Sequence, residues 1–424
     1  MADLGHQLSW HAVPRPQFSG GNEVRLLRGG DELFPAQEAA IAHARHEVWL
    51  ATYIFHHDDA GASLVTALRA AAARGVRVRV VVDGFGSKAS LDWLTSQLAG
   101  SGVALAVFRP MDRWWRWLQP GQLRRLHQKL CVVDGEQAFV GGINIIGDRV
   151  DLNHGELDAP RLDFALGLRG PVVEPVQQAA RAVWTRAWLG RDFGEELLAL
   201  VRSPEPLQRM RRLFRRLRMP GRDEVDTGHA LPPVCAAFVL RDNLRQRRTI
   251  ERAYIEAIRG AQYSVDLITP YFYPGRAFRR ALLSAARRGV RVRLLLQGKV
   301  DYRIAAMAAH ALYAELLNRG IGIYEYTQAF LHAKVAVVDG RWATVGSSNI
   351  DPLSLLLNLE SNVVVEDENV AGEVAAAFES ALAGSVCIAD ERAVGTGLRA
   401  VLRRGLVAWA AYVYLRVAGA TGRY

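Results

Sequence analysis

The chain has 424 residues, of which 50% are hydrophobic and 23% are charged. That length is too great for one ordinary hydrophobic core and suits two domains, each able to bury a sizeable core. The net charge of +10 favours an acidic partner, either nucleic acid or an anionic membrane surface, and charge alone does not choose between them. The three cysteines lack any CxxC spacing, which argues against a disulfide framework or a zinc knuckle and favours a reducing compartment.

Neither end of the chain has the pattern of a membrane-spanning segment. The N-terminal stretch MADLGHQLSWHAVPRPQFSGG has no basic start followed by an apolar run, so we expect no signal peptide. Near the other end, the longest apolar stretch runs from Gly405 to Leu415 and is shorter than the roughly 20 residues that span a bilayer. We therefore expect any contact with a membrane to be peripheral.

The predicted elements alternate between strand and helix. EVWLATYIF, at residues 47–55, is typical of a buried strand; an Ala-rich helix follows and ends at Gly75, and VRVRVVVDG forms the next strand. The same layout returns later in YSVDLITPYF, GRAFRRALLSAARRG and VRVRLLLQG. Continuous Val, Ile and Leu runs joined by helices indicate a sheet covered on both faces. We predict an α/β fold, with two α/β/α sandwiches related by a pseudo-twofold axis.

Two nearly identical stretches mark the repeat most clearly. LHQKLCVVDG begins at Leu126 and LHAKVAVVDG begins at Leu331, at an offset of 205 residues that also relates GGIN to GSSN downstream. Because the blocks keep the same order in both halves, we interpret the chain as a duplicated domain. The predicted division is an N-terminal segment at 1–22, a first domain at 23–195, a linker at 196–234, a second domain at 235–390 and a C-terminal amphipathic segment at 391–424.

Three segments rich in arginine and apolar residues have two interpretations each. Within the linker, Leu207 to Met219 predicts a basic amphipathic helix, which either packs on the domains or lies on a membrane surface. Met111 to Arg125 carries three tryptophans among arginines and is either a buried lid or a headgroup-layer anchor. The C-terminal stretch from Leu398 to Gly419 is either an interfacial helix or a packed terminal one.

The repeated stretch carries a His and a Lys suited to phosphate chemistry. We predict a strand over HQKLCVVDG, and alternation along it places His127 and Lys129 on one face and Asp134 on the other, near the turn. An ammonium beside an imidazole repels a metal cation, so we expect no metal and no cofactor. Lysine neutralises a phosphoryl oxygen, and imidazole serves as nucleophile or as general acid and base. The matching residues of the second half are His332, Lys334 and Asp339.

The glycine-rich turns after these strands lead to Asn144 and Asn349. Their side-chain amides can donate to the same phosphate oxygens, so we predict that they bind phosphate.

With these residues in place, the chain resembles the phospholipase D superfamily, whose signature H-x-K-x4-D occurs twice per chain. Within it, YIFHHDDAG, FVGGINIIGD, YEYTQAFLHAKVAVVDG and VGSSNIDPLSLLLNLE are similar to stretches of the bacterial cardiolipin synthases. The resemblance covers nearly the whole chain. It is closest to the shorter form of these enzymes, which has no N-terminal transmembrane helices.

The resemblance implies one active site, shared between the domains and formed by both motifs. One histidine forms a phosphohistidine and the other acts as acid and base; the family pattern favours His127 as nucleophile and His332 as acid and base. Each histidine needs an orienting partner on its other ring nitrogen. The candidates are Asp163 and Glu360, at comparable distances downstream of the histidine in their own half. Arg161 and Leu162 depart from the family's Trp and Arg before Asp163.

The reaction implied is transfer of a phosphatidyl group from phosphatidylglycerol to a second phospholipid, giving cardiolipin. Phosphatidylethanolamine is an alternative lipid substrate. Two other readings stay open: a phospholipase D hydrolase that forms phosphatidic acid, and a phosphodiesterase nuclease that acts on DNA. The sequence contains no nucleic-acid-binding module, so we expect no nucleic acid partner. The expected location is the cytoplasmic side of a bacterial cell membrane, bound peripherally to its anionic surface.

Overall fold

The computed structural model describes residues 15–110, 124–152, 154–201, 208, 234–242, 246, 248–299, 312–351 and 358–389. The predicted helices at 207–219 and 398–419 and the tryptophan-rich residues 111–123 lie outside this part of the chain, apart from Gln208. Among the described helices, none is both long enough and apolar enough to cross a bilayer.

The first half consists of nine strands and four α-helices in the described residues. In chain order they are β1 (Ser19–Arg28), α1 (Gly29–Ala42), β2 (Glu47–Thr52), α2 (Asp59–Ala73), β3 (Arg77–Asp83), α3 (Leu91–Leu98), β4 (Ala104–Phe108), β5 (Leu130–Val133), β6 (Gln137–Gly141), β7 (Val150–Asp151), β8 (Gly155–Glu156), β9 (Phe164–Arg169) and α4 (Val173–Val201).

The second half has a similar order from β10 onward. Its elements are β10 (Val234–Arg241), α5 (Thr249–Gly260), β11 (Ser264–Thr269), α6 (Arg276–Arg287), β12 (Arg291–Gln297), β13 (Gly322–Tyr326), β14 (Val335–Val338), β15 (Trp342–Gly346), β16 (Glu360–Glu366), α7 (Glu368–Ala383) and β17 (Ser385–Cys387). The predicted α/β fold with two related halves is therefore confirmed. The domain boundaries stay predictions; β1 begins inside the predicted N-terminal segment, and α4 continues past residue 195.

The two halves share one continuous sheet, which the sequence did not predict. Its order is β17-β13-β12-β11-β14-β15-β16-β10-β1-β9-β6-β5-β2-β3-β4, so the strands of one half mirror those of the other about the β10–β1 pair. At this seam Ser19 lies opposite Ala236 and Asn22 opposite Val234, in antiparallel register. A pairing between segments more than 200 residues apart depends on tertiary contacts, which no local pattern encodes.

Apolar side chains pack on both faces of the sheet. On one face, α4 and α7 contribute to a single hydrophobic core that includes strand residues of both halves. On the other face, α1, α2 and α3 cover the first half, while α5 and α6 cover the second. The shared core and the shared sheet together hold the halves in a fixed relationship, which matters because the active-site residues come from both.

Candidate active site

Each His–Lys motif lies just before a strand of its half and is hydrogen-bonded to the other half. The predicted strand over the whole motif is shorter in the structure, since β5 begins only at Leu130. Upstream of it, the N–H of His127 donates to the carbonyl of Leu359 at 3.0 Å, and the N–H of His332 donates to the carbonyl of Leu162 at 2.9 Å. These backbone bonds place each histidine beside the segment that carries a carboxylate of the opposite half.

Each motif histidine contacts a carboxylate of the opposite half. Nδ1 of His127 lies 2.9 Å from Oε2 of Glu360, and Nδ1 of His332 lies 2.6 Å from Oδ2 of Asp163. We expected each carboxylate to orient the histidine of its own half. That expectation is wrong, because each carboxylate contacts the histidine of the other half. With Nδ1 hydrogen-bonded in this way, Nε2 of each ring is the nitrogen left to face a substrate.

Glu360 lies in a fully buried polar network. Its Oε2 also accepts a hydrogen bond from the Ser347 hydroxyl at 2.6 Å, and its Oε1 lies 3.4 Å from Nδ2 of Asn358. Burial by itself would raise its pKa, but the charge of His127, the hydrogen bond to it and the charge of Lys129 hold the pKa of Glu360 below its usual range. It is therefore a permanent anion at neutral pH, well suited to stabilise positive charge on His127.

The pKa of Asp163 is shifted in the opposite direction from that of Glu360. Burial raises its pKa to about 6, against the opposing charge of Lys334 and a hydrogen bond from the Phe164 N–H. A side chain at Gly142 would displace the Asp163 carboxylate, because a Cβ there would lie 2.3 Å from Oδ1 of Asp163. At the matching position of the second half is Ser347, which instead donates to Glu360. The duplicated turns thus serve the two carboxylates differently.

The two lysines are buried together with the histidines. Lys129 and Lys334 are 5% and 1% exposed, and their Nζ atoms donate to the backbone carbonyls of His127 and His332 respectively. Burial and the charge of Lys334 lower the pKa of Lys129 to about 7; burial lowers that of Lys334 to about 8. Two buried ammonium groups that repel each other form a favourable site for an anion with several oxygens, such as phosphate.

Both histidines have depressed pKa values when no substrate is bound. Burial lowers the pKa of His127, and the charge of Glu360 partly offsets it. For His332, burial and then the charges of Lys334 and Lys129 place the pKa well below the usual value. The charge of Lys334, in the second half, lowers the pKa of both His127 and Lys129, in the first half, so the two motifs lie within electrostatic reach of each other.

Asn144 and Asn349 lie in the loops after β6 and β15, and both are 7% exposed. Oδ1 of Asn144 accepts from the N–H of Ile54 at 3.2 Å. Oδ1 of Asn349 is buried without a partner among the described residues. Their predicted role in phosphate binding stays a prediction.

The motif aspartates form turns and point to backbone groups. Both Asp134 and Asp339 have φ = 54°, a left-handed conformation that Asp tolerates better than most residues. The Asp134 carboxylate accepts from the N–H groups of residues 45, 46 and 47 at 2.7 to 2.8 Å, and Asp339 does the same with residues 262, 263 and 264. This geometry agrees with a structural role near the turn and gives no contact with the described histidines or lysines of the motifs.

Three further residues, which the sequence pattern did not single out, support the site. The ring of Tyr53 contacts the edge of the His127 ring at 5.1 Å between centroids and lies 5.6 Å from Nζ of Lys129. Asp83 accepts from the N–H of Leu126 at 2.9 Å, and Gln297 accepts from the N–H of Leu331 at 2.7 Å. The available signal was the polar residue before the final glycine of VVVDG and of LLLQG. Each accepts a hydrogen bond from the residue just before a motif histidine.

Comparisons with known proteins identify the family of this chain. A family model described as "Cardiolipin synthase, PLD-like domain" matches residues 38–157 and 254–382. Cardiolipin synthase B of Escherichia coli strain K12 is 36% identical over 359 residues, covering 82% of this chain and 78% of the relative. Cardiolipin synthase A of Pseudomonas aeruginosa strain LESB58 is 34% identical over 379 residues, covering 88% and 70%.

A solved structure has the same fold across the whole chain. The phosphatidylserine synthase of Haemophilus influenzae aligns with a TM-score of 0.66 over 98% of each chain, at 12% sequence identity. The fold is therefore shared even where the sequences have diverged. From the family match and the identity to its members, the chain belongs to the cardiolipin synthase family of phospholipase D-like enzymes.

Proposed function

We propose that this protein transfers the phosphatidyl group of phosphatidylglycerol to the hydroxyl of a second phospholipid and so forms cardiolipin. The observation that carries the proposal is the pair of histidines, each in contact with a carboxylate of the opposite half, together with two buried lysines. One phosphodiester replaces another, so the reaction needs no external energy source.

In the first step, the donor phosphate binds between Lys129 and Lys334. Nε2 of His127 attacks the phosphorus, the bond from phosphorus to the oxygen of the head-group glycerol breaks, and His332 gives its proton to that oxygen, so that free glycerol leaves. In the second step, His332 takes the proton of the acceptor hydroxyl, whose oxygen attacks the same phosphorus. The bond to His127 then breaks, and the enzyme returns to its starting state.

The electrostatics support these roles. His127 becomes positively charged when it bonds to phosphorus, and ionised Glu360 stabilises that charge through Nδ1. His332 must start protonated, although its pKa is low without substrate. An anionic phosphate beside the lysines offsets the effect of their charges and raises the pKa of His332. Binding of the substrate therefore favours the protonated form of His332.

Lipid mass spectrometry tests the proposal directly. The protein is incubated with vesicles that contain labelled phosphatidylglycerol, with phosphatidylethanolamine and glycerol as competitors. Labelled cardiolipin with release of glycerol supports phosphatidyl transfer. Phosphatidic acid as the sole lipid product overturns phosphatidyl transfer in favour of a phospholipase D hydrolase. Consumption of phosphatidylglycerol only in the presence of phosphatidylethanolamine assigns phosphatidylethanolamine as the acceptor.

We also propose that the protein acts on the cytoplasmic side of the membrane as a peripheral protein. The net charge of +10 suits an anionic lipid surface. Sedimentation with vesicles tests the peripheral binding. We expect binding to anionic vesicles and weaker binding to neutral ones, whereas failure to bind either kind contradicts peripheral binding.

A further inference from the structure

Arg161 lies two residues before Asp163, on the segment that runs beside the second motif. A parallel bridge joins Leu162 to Leu331, and alternation along this extended segment puts Arg161 and Asp163 on the same face of it. The Arg161 side chain is 13% exposed. Because solvent screens a largely buried charge only weakly, this guanidinium acts on the ionisable groups around it.

The β7–β8 hairpin fixes the position of the Arg161 guanidinium. Its Nη2 donates to the carbonyl of Val150 at 2.8 Å and lies 3.2 Å from Oδ2 of Asp151. The backbone N–H of Arg161 donates to the carbonyl of Asp148 at 2.8 Å, which joins the segment to the residues just before the hairpin. The charge is therefore held at a defined place next to the second motif.

This charge stabilises the Asp163 carboxylate. Burial raises the pKa of Asp163 to about 6. Opposing interactions come from the charge of Lys334, the hydrogen bond of the Phe164 N–H, and the charges of Lys129 and Arg161. The two lysines belong to the motifs, whereas Arg161 belongs to the segment that carries Asp163 itself.

The same charge opposes protonation of His332. Burial lowers the pKa of this histidine, and so do the charges of the groups around it, Lys334, Lys129, Arg161 and His127. Oδ2 of Asp163 lies 2.6 Å from Nδ1 of His332 and keeps the ring oriented. A cation beside this pair favours the ionised carboxylate and disfavours the imidazolium.

The matching position of the second half has a neutral residue. The parallel bridge before each motif histidine relates the two segments, and by it Asp163 corresponds to Glu360. Two residues before Glu360 is Asn358, whose Nδ2 lies 3.4 Å from Oε1 of that carboxylate. An amide therefore serves the carboxylate in one half, and the charge of Arg161 serves it in the other.

We propose that Arg161 is a positioning residue that keeps Asp163 ionised beside His332 and makes His332 a readier proton donor. This inference rests on the proposed function, in which His332 protonates the oxygen of the leaving glycerol. The proton on Nε2 moves to that oxygen as the bond to phosphorus breaks, and the ionised carboxylate continues to orient the ring. Arg161 thus gives the acid–base histidine an environment that the nucleophile does not share.

The dependence of glycerol release on pH tests this role. Phosphatidylglycerol labelled in its head group is supplied in vesicles at saturating concentration. Saturation removes the effect of Arg161 on phosphate binding by Lys334, whose pKa is lowered by burial and also by Arg161. Loss of the Arg161 charge raises the pKa values of Asp163 and His332, so the pH–rate profile moves to higher pH.

Three variants separate charge from fold. We expect Arg161→Gln to raise the ratio of the rate at pH 8 to the rate at pH 6 about three- to tenfold. Arg161→Lys keeps the charge and should keep the wild-type ratio. Arg149→Gln is the control and should also keep it, because Arg149 is an exposed arginine just before β7 whose Nη1 donates to the carbonyl of Asp158 at 2.9 Å.

Each outcome decides one point. An unchanged ratio in Arg161→Gln overturns the proposal, as does an equal fall at every pH, which a residue that only supports the fold would give. An equal change of ratio in Arg161→Lys also overturns it, because the charge would then not be the cause. Glycerol leaves in both transfer and hydrolysis. A wild-type protein that forms only phosphatidic acid therefore overturns the proposed function, while the ratio still decides the role of Arg161.

Discussion

Nδ1 of His127 lies 2.9 Å from Oε2 of Glu360, a carboxylate 233 residues away in the chain and on the opposite half of the molecule. Glu360→Gln keeps the shape and removes the charge. Because a hydrogen bond to a charged group contributes about 1.5–3 kcal/mol, we expect kcat to fall on the order of 10- to 100-fold. Single-turnover formation of the phosphoenzyme measures the loss at the step assigned to His127.

Ser347→Ala is the matched control for that change. It removes one hydrogen bond from the same carboxylate and keeps the charge, so a smaller loss, below about tenfold, is expected. If Glu360→Gln is no slower than Ser347→Ala, the negative charge is not what Glu360 contributes.

The shared site predicts that one histidine cannot replace the other. Two independent sites would lose half their rate when one histidine is removed, a barrier change of only about 0.4 kcal/mol. In one site, His332→Ala should lose about 100-fold or more, because a general acid and base is removed. Steady-state assays of His332→Ala and of His127→Ala are compared, and a residual rate near one half for either variant contradicts the shared site.

The motif aspartates should affect stability more than catalysis. Asp134→Asn weakens three hydrogen bonds from backbone N–H groups, which predicts a loss of about 1–3 kcal/mol in the free energy of unfolding. The activity of the folded fraction should stay within about threefold of wild type, since Asn also tolerates the left-handed conformation. Urea titration and kinetics on the same sample measure both, and a stable but inactive variant would assign Asp134 to the chemistry.

Asp163 should make stability depend on pH in a defined window. Its folded pKa of about 6 is above the unfolded value of 3.8, so the folded protein binds the proton more tightly. Its contribution is fully present below pH 3.8 and is lost as pH rises through 6, which corresponds to about 1 kcal/mol between pH 5 and pH 7. Urea titrations at both pH values should show a pH dependence about 1 kcal/mol smaller in Asp163→Asn than in wild type, since Asp148, whose pKa burial also raises to about 6, contributes equally in both proteins. An equal difference in both proteins would mean that other groups cause it.

Gly142 should be required for the position of Asp163. In Gly142→Ala the new Cβ would lie 2.3 Å from Oδ1 of Asp163, so the carboxylate that contacts Nδ1 of His332 must shift. A displacement of about 1 Å can cost roughly 100-fold in rate. Gly147→Ala is the control, because its Cβ would meet only ordinary contacts at 3.5 and 3.6 Å. Similar rates for the two variants would show that Asp163 can shift without consequence.

The sequence predicted much of this site because the duplication left a strong pattern. His127, Lys129 and their counterparts stood out as a repeated pair, and Asp163 and Glu360 were recognised as candidate partners. The pairing of each histidine with the carboxylate of the opposite half was not predictable, because it depends on the seam between β1 and β10. Tyr53 and Asp83 were missed for another reason. An aromatic or acidic residue after a buried strand is common, and only the folded structure brings these two beside His127 or its neighbour.

The contact of each motif histidine with a carboxylate of the opposite half bears on how such a chain could arise. One half on its own would present a histidine and a lysine, with no carboxylate for that histidine and with the β1 or β10 edge exposed. A single-domain ancestor with the same arrangement would have needed two identical chains paired along that edge. Fusion into one chain then allowed the halves to diverge, which identical chains cannot do, and the presence of Gly142 in one duplicated turn and Ser347 in the other is one product of that freedom.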